Sequence, residues 1–277
     1  MNVKSADKYL QFGYDKCRAM VVGKKSESYH IPKLQVDTWN THHTKEGDIV
    51  EYFAGKKDMQ VCQELTYLGV EISSDGRNMK TILRKRNKNI GKKKQITNLI
   101  KPLGIFTFEC AIIFLNSLVR SSVLYATEAM YNINEKEMRQ LEKIEEDHMR
   151  NILDVKTGIQ VPLHLMYLDL GQVPARYQVK RFQVNFLQYI LQQDESSLLH
   201  RMLRAQQQQP VRGDWFSEVS GIIKDLDIGL DIEQIRTTKR VVFRRISKQK
   251  CEEAAFKALL KKGTMGKKAK IFNMEDN

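Results

Sequence analysis

The chain has 277 residues, 42% of them hydrophobic, and its 46 Lys and Arg outweigh 33 Asp and Glu to give a net charge of +13. That apolar content excludes a wholly disordered polypeptide, and the length allows one large core or two modest ones. The charge is confined rather than scattered: Arg77 to Lys101 holds ten basic residues and no acid, and Lys239 to Lys270 holds twelve basic residues and two acids, the pattern of a protein that meets a polyanion.

The first 76 residues read as strands and turns, an α+β region at most. Cys17 to Val22 is a short apolar run closed by Gly23, and Leu34 to Trp39 alternates apolar and polar residues. Ile49 to Phe53 and Leu65 to Ile72 are rich in β-branched and aromatic residues, with Gly55 and Ser74-Asp75-Gly76 as turns. The polar segment Met1 to Lys8 reads as no secretory signal. Cys17, Cys62, Cys110 and Cys251 form no Cys-x-x-Cys unit and read as buried free thiols of an intracellular protein, cytoplasmic or nuclear. Adjacent His42 and His43 lack a repeated ligand spacing, so no metal is expected there.

After Gly76 the spacing is helical. Met79, Ile82, Leu83, Ile90, Ile96, Leu99 and Ile100 give a narrow apolar stripe, with Lys and Arg on the other faces until Pro102. Phe106 to Met130 is apolar nearly all round and predicts a buried helix; Glu109, Asn116 and Arg120 interrupt it, which argues against a membrane span. Asn134, with Glu137 three residues on, predicts the cap of a third helix through Met138, Leu141, Ile144, His148, Met149 and Ile152. These three form a bundle over 77–157. His148 reads as a satisfied core imidazole, and the consecutive Glu145, Glu146 and Asp147 fan over different faces.

Gly158 and Pro162 separate that bundle from a helical region over 158–277. Pro174 opens a helix carrying Tyr177, Phe182, Phe186 and Ile190, and a shorter one surrounds Leu198 to Leu203. Gln206 to Gln209 and Pro210 read as a linker. Trp215, Phe216, Ile222 and Ile223 mark a further helix before the basic stretch from about Ile232 to Lys262, where Glu252 and Glu253 pair with lysines one turn away. The expected fold is α+β and mostly α.

Four segments then match a family in its own order. They are Gly13-Tyr14-Asp15-Lys16-Cys17-Arg18-Ala19-Met20-Val21-Val22, Thr66-Tyr67-Leu68-Gly69-Val70-Glu71-Ile72-Ser73-Ser74-Asp75-Gly76, Val119-Arg120-Ser121-Ser122-Val123-Leu124-Tyr125-Ala126-Thr127-Glu128, and Leu141-Glu142-Lys143-Ile144-Glu145-Glu146-Asp147-His148-Met149-Arg150. Together they resemble the C-terminal portion of non-LTR, LINE-like retrotransposon reverse transcriptases, from the end of the palm through the thumb. The resemblance implies a nucleotide-proximal role for Lys16, a primer grip at Tyr67, Leu68 and Gly69, and a first thumb helix whose Arg77, Lys80, Arg84, Lys85, Arg86, Lys88, Lys92, Lys93 and Lys94 follow the primer-template duplex. It makes 1–76 a palm remnant and 77–157 a thumb-like bundle.

The same comparison limits the chain. The family polymerises DNA on an RNA template with two metal ions held by an aromatic-Ala-Asp-Asp strand and a further aspartate. No Asp-Asp pair occurs in these 277 residues. The expectation is therefore a reverse-transcriptase fragment that binds RNA:DNA hybrid or duplex without polymerising alone. Its own cofactor set is empty, with divalent Mg expected only for the complete enzyme and the missing upstream polymerase portion as a candidate partner. No membrane is expected. The alternative is a domesticated helical scaffold whose charge serves solubility.

Overall fold

The computed structural model describes residues 18–20, 35–43, 49–58, 60–67, 70–100, 108–130, 132–153, 161–210 and 213–265. The chain divides into two compact units, residues 1–81 and 82–277.

In the first unit, described strands β1 (Arg18–Ala19), β2 (Gln35–His43), β3 (Ile49–Asp58), β4 (Gln60–Val61), β5 (Glu64–Tyr67) and β6 (Val70–Ser73) form three two-stranded ladders. β1 runs parallel to β4, whereas β2 with β3 and β5 with β6 are antiparallel. The β2–β3 ladder shifts register between Thr38 and Trp39, next to Gly55, a bulge of the kind glycine favours. The Ser74-Asp75-Gly76 turn forms as its composition predicts. Gly76 takes φ +69°, its N–H donates to the Ser73 carbonyl at 3.0 Å, and the Asp75 carboxylate accepts from the Arg77 N–H at 2.9 Å.

The remainder is helical. α1 spans Met79–Ile100. α2 (Phe108–Phe114) passes through a π-helical stretch, Leu115–Arg120, into α3 (Ser121–Leu124). α4 (Glu135–Ile152), α5 (Leu163–Asp169), α6 (Ala175–Leu191), α7 (Leu198–Gln208), α8 (Trp215–Asp225), α9 (Ile232–Thr237) and α10 (Arg240–Met265) follow. Asn134 and Glu137 close the expected capping box, with the Glu137 N–H donating to Asn134 Oδ1 at 2.9 Å and the Asn134 N–H to Glu137 Oε2 at 3.2 Å. Pro174 precedes α6, as its position predicts.

Two apolar clusters make the core of the second unit. One gathers Leu115, Val119, Val123, Leu141, Ile144, Met149, Met166 and Val179. The other gathers Val184, Leu187, Ile190, Val219, Ile222, Ile235 and Phe243. α6 and α10 belong to both, since Val179 and Leu259 lie in the first while Val184, Phe243 and Cys251 lie in the second. α10 does this with a stripe one side chain wide: Phe243, Ser247, Cys251, Ala255 and Leu259, each four residues from the last, are buried, and their flanks are mostly exposed.

The architecture is mostly helical with small antiparallel ladders, the class the sequence predicts. The second unit runs through residue 157, and Leu259 packs into the same cluster as Leu115 and Leu141. Two expectations are corrected. The helix expected over Phe106 to Met130 ends at Leu124, where Tyr125 turns extended (ψ 129°) and Ala126 goes to φ +60°. Gln206 to Gln208 are helical rather than linker, and Gln206 Oε1 accepts the Phe216 N–H at 3.0 Å, tying α7 to α8. Cys62 and Cys110 are half-buried and Cys251 is buried; Cys17 lies outside the described residues. Among the described residues no helix is long and apolar enough to cross a membrane.

Candidate nucleic-acid interface

The basic run begins as the sequence places it. Arg77 precedes the first turn of α1, exposed and 3.6 Å from the Asp75 carboxylate. Lys80 pairs with Glu64 of β5, and the Thr81 hydroxyl donates to the Glu71 carbonyl of β6, so the hairpin and the first turn of the helix are joined within the first unit. The hairpin closes on the Tyr67–Val70 pair. Tyr67 is exposed, whereas Leu68, Gly69 and Lys16 lie outside the described residues.

Within the second unit, α1 buries a face that its apolar residues do not mark. Ile82 is fully buried, but Leu83 and Ile90 of the expected stripe are exposed, and Lys85 and Asn89 take their place. The Lys85 ammonium donates to the Val123 carbonyl at 2.8 Å and also to that of Tyr125. These carbonyls belong to the end of α3, which has no intrahelical donors for them, so a cation from α1 closes that end. Burial pushes Lys85 down to about 8, opposed by the charge of Glu128. Asn89 Nδ2 donates back to the Lys85 carbonyl at 2.8 Å.

That arrangement corrects the expected duplex-contacting set. Lys85 is 7% exposed, and its ammonium is committed to backbone oxygens, so it does not reach a phosphate. Lys92 donates to the Leu118 carbonyl at 2.9 Å, and burial together with neighbouring Lys88 lowers its pKa. Arg86 donates to Gln140 Oε1 at 3.3 Å. Arg84 is half-buried and Lys88 is exposed. Lys93 and Lys94 lie on α1, and their side chains are outside the described set.

Arg120 is a structural cation as well. Its Nε meets Glu145 Oε1 at 3.0 Å, its Nη1 reaches Asn116 at 3.3 Å and Gln172 at 2.7 Å, and its Nη2 donates to the Val173 carbonyl at 2.7 Å. Glu145 also accepts from the Tyr167 hydroxyl at 2.7 Å. Burial raises the Glu145 pKa against the pull of Arg120 and Tyr167, and burial next to Glu145 raises that of Tyr167. His148 is buried beside them in sequence, as expected. Among the described residues no group of three or more His, Cys, Asp or Glu is arranged to hold a metal ion.

Sequence reasoning missed a groove of about 830 Å³ in the second unit, bounded by the end of α3, α6 and α10. Arg181, Arg240, Arg244 and Lys248 line it together with Tyr125, Phe182, Phe186 and Tyr189, and Glu128 is its acid. The Arg181 guanidinium lies 5.2 Å from the Phe182 ring centre and that of Arg240 5.1 Å from the Tyr189 ring centre. Phe186 stacks on Tyr189 at 5.9 Å and meets Trp215 edge-on at 5.7 Å. The aromatic spacing on α6 reads as core in sequence, and these rings are half-buried rather than enclosed. The signal available was the row Arg240, Arg244 and Lys248 at intervals of four.

Comparison with protein-family models, with curated proteins and with solved structures returns no match for this chain.

Proposed function

We propose that this chain is a nucleic-acid-binding polypeptide, the C-terminal portion of a LINE-like reverse transcriptase, and that it holds RNA:DNA hybrid or duplex through phosphate contacts without reading sequence. The observation that carries this is the acid-free run of ten cations from Arg77 to Lys101, which begins directly behind the β5–β6 hairpin. A helix with no carboxylate of its own cannot neutralise itself by pairs one turn apart, so its outward cations hold counterions that a phosphate backbone displaces. Lys85, Arg86 and Lys92 donate to groups of the protein itself, and the proposed phosphate contacts are assigned to Arg84, Lys88, Lys93 and Lys94. The chain has no Asp-Asp pair, so the proposed role is binding and not polymerisation.

The experiment is titration of a labelled RNA:DNA hybrid at several salt concentrations. About four phosphate contacts give a slope of log affinity against log salt of roughly −3.6. Affinity that ignores salt would remove the reading. The scaffold alternative has its own observation in Leu198, Leu199 and Met202, a hydrophobic cluster exposed on α7. It is favoured if glutamate at Lys88, Lys93 and Lys94 leaves binding to nucleic acid and to protein partners unchanged.

A further inference from the structure

We infer that the groove between α6 and α10 is a second nucleic-acid site that takes a single strand, its phosphates along Arg240, Arg244 and Lys248 and its bases against the guanidinium faces of Arg181 and Arg240. The inference does not rest on the reading of α1: the groove lies on other helices and could act whether or not α1 meets a duplex.

Pairing is the first argument. Several basic side chains elsewhere in the second unit are neutralised by carboxylates: Arg120 with Glu145 at 3.0 Å, Arg150 with Glu146 at 2.8 Å, Arg176 with Glu142 at 2.5 Å, Arg236 with Glu195 at 3.5 Å and Lys250 with Asp227 at 3.6 Å. Among the described residues Arg181, Arg240 and Arg244 have no carboxylate in ion-pair range, and Lys248 has only the looser Glu252 at 3.8 Å. Three cations without an ion-pair partner and a fourth loosely paired thus line a single concavity, with Glu128 as the acid in its lining.

Geometry is the second. Arg240, Arg244 and Lys248 succeed one another by four residues on α10, about 6 Å per step along the axis, so they present a row of positive charge rather than a point. Arg181 and Arg240 lie over aromatic rings, contacts that restrain their guanidinium groups before a ligand arrives and lower the ordering cost of binding. A planar guanidinium so held offers its other side to a nucleobase. A carboxylate-rich peptide would use the charge and leave the planes unused.

Size is the third. About 830 Å³ falls within the roughly 300–1,000 Å³ of sites that enclose small ligands. It accommodates a stacked base or two of an unpaired strand and is too small for a duplex.

The test uses the full chain and three labelled probes: a twelve-nucleotide oligo(dT), the same strand without bases, and a twelve-base-pair duplex. Wild type is expected to bind oligo(dT) roughly tenfold more tightly than the abasic strand. Arg240→Ala with Arg244→Ala is expected to weaken oligo(dT) at least tenfold, change duplex affinity less than twofold, and reduce the salt slope for the single strand by about 1.4. The pair Arg244→Ala and Lys248→Ala gives the same direction without touching the contact to Tyr189. Lys88→Glu leaves oligo(dT) binding unchanged, which separates this site from α1. Unchanged oligo(dT) affinity in both double variants overturns the inference. So does an abasic strand, or polyglutamate, that binds as tightly as oligo(dT), since the groove would then be an anion trough with no preference for bases.

Discussion

The Lys85 ammonium donates to the Val123 carbonyl oxygen across 2.8 Å, so a lysine from the middle of the basic run finishes the last turn of a different helix. Ten like charges on one segment invite the reading that all ten face a ligand. At least one is a cap, and what it caps is the Leu124–Ala126 corner where the chain leaves α3.

Lys85 makes stability depend on pH in a defined direction. Its pKa is depressed to about 8 in the folded protein against 10.5 for the free side chain. Between those values the unfolded chain binds the extra proton, so unfolding becomes harder as pH rises through that window, by up to about 3 kcal/mol. Cys251, pushed up to about 11 mainly by burial, works the opposite way above pH 9. The measurement is therefore a difference: urea stability of wild type minus Lys85→Met rises from pH 8 to pH 10.5. The same variant keeps its affinity for RNA:DNA hybrid within twofold, whereas a phosphate-contacting lysine would lose more.

The buried Arg120–Glu145–Tyr167 group is costly to break at one member. Glu145→Gln leaves the guanidinium without its counter-charge among apolar neighbours, and a loss of about 3 kcal/mol is expected. It is read from a lower urea midpoint at constant slope. Arg120→Met combined with Glu145→Leu and Tyr167→Phe recovers most of that loss, because the desolvation penalty leaves with the charges.

Asn134→Ala removes the acceptor for the Glu137 N–H at the start of α4. A cost of about 1 kcal/mol is expected, and Asn134→Ser retains most of the stability. Equal loss in both variants would mean that the capping geometry is not what Asn134 supplies.

The helices were legible where local chemistry sets them: the Asn134–Glu137 box, Pro174 before α6, Gly76 at its turn. Each is a requirement of a few adjacent residues, and sequence shows those directly. What failed was the inward face of α1. Spacing marked Leu83 and Ile90 as core, yet both are exposed while Lys85 and Asn89 are buried. A polar residue goes inside when something distant needs its hydrogen bonds, here carbonyls 38 and 40 residues downstream, and no local periodicity carries that. The groove was hidden for a related reason. Its lining is drawn from the segment around α3, from α6 and from α10, which are well separated in sequence, so none of them announces it alone.

The most direct test of nucleic-acid binding along α1 is the salt dependence of RNA:DNA hybrid affinity for wild type and for the triple variant Lys88→Glu, Lys93→Glu, Lys94→Glu, measured by fluorescence anisotropy. Wild type is expected to give a slope of log affinity against log salt of roughly −3.6, and removal of three phosphate contacts should make it shallower by about 2.7. Parallel slopes for the two proteins, at equal affinity, would contradict the account.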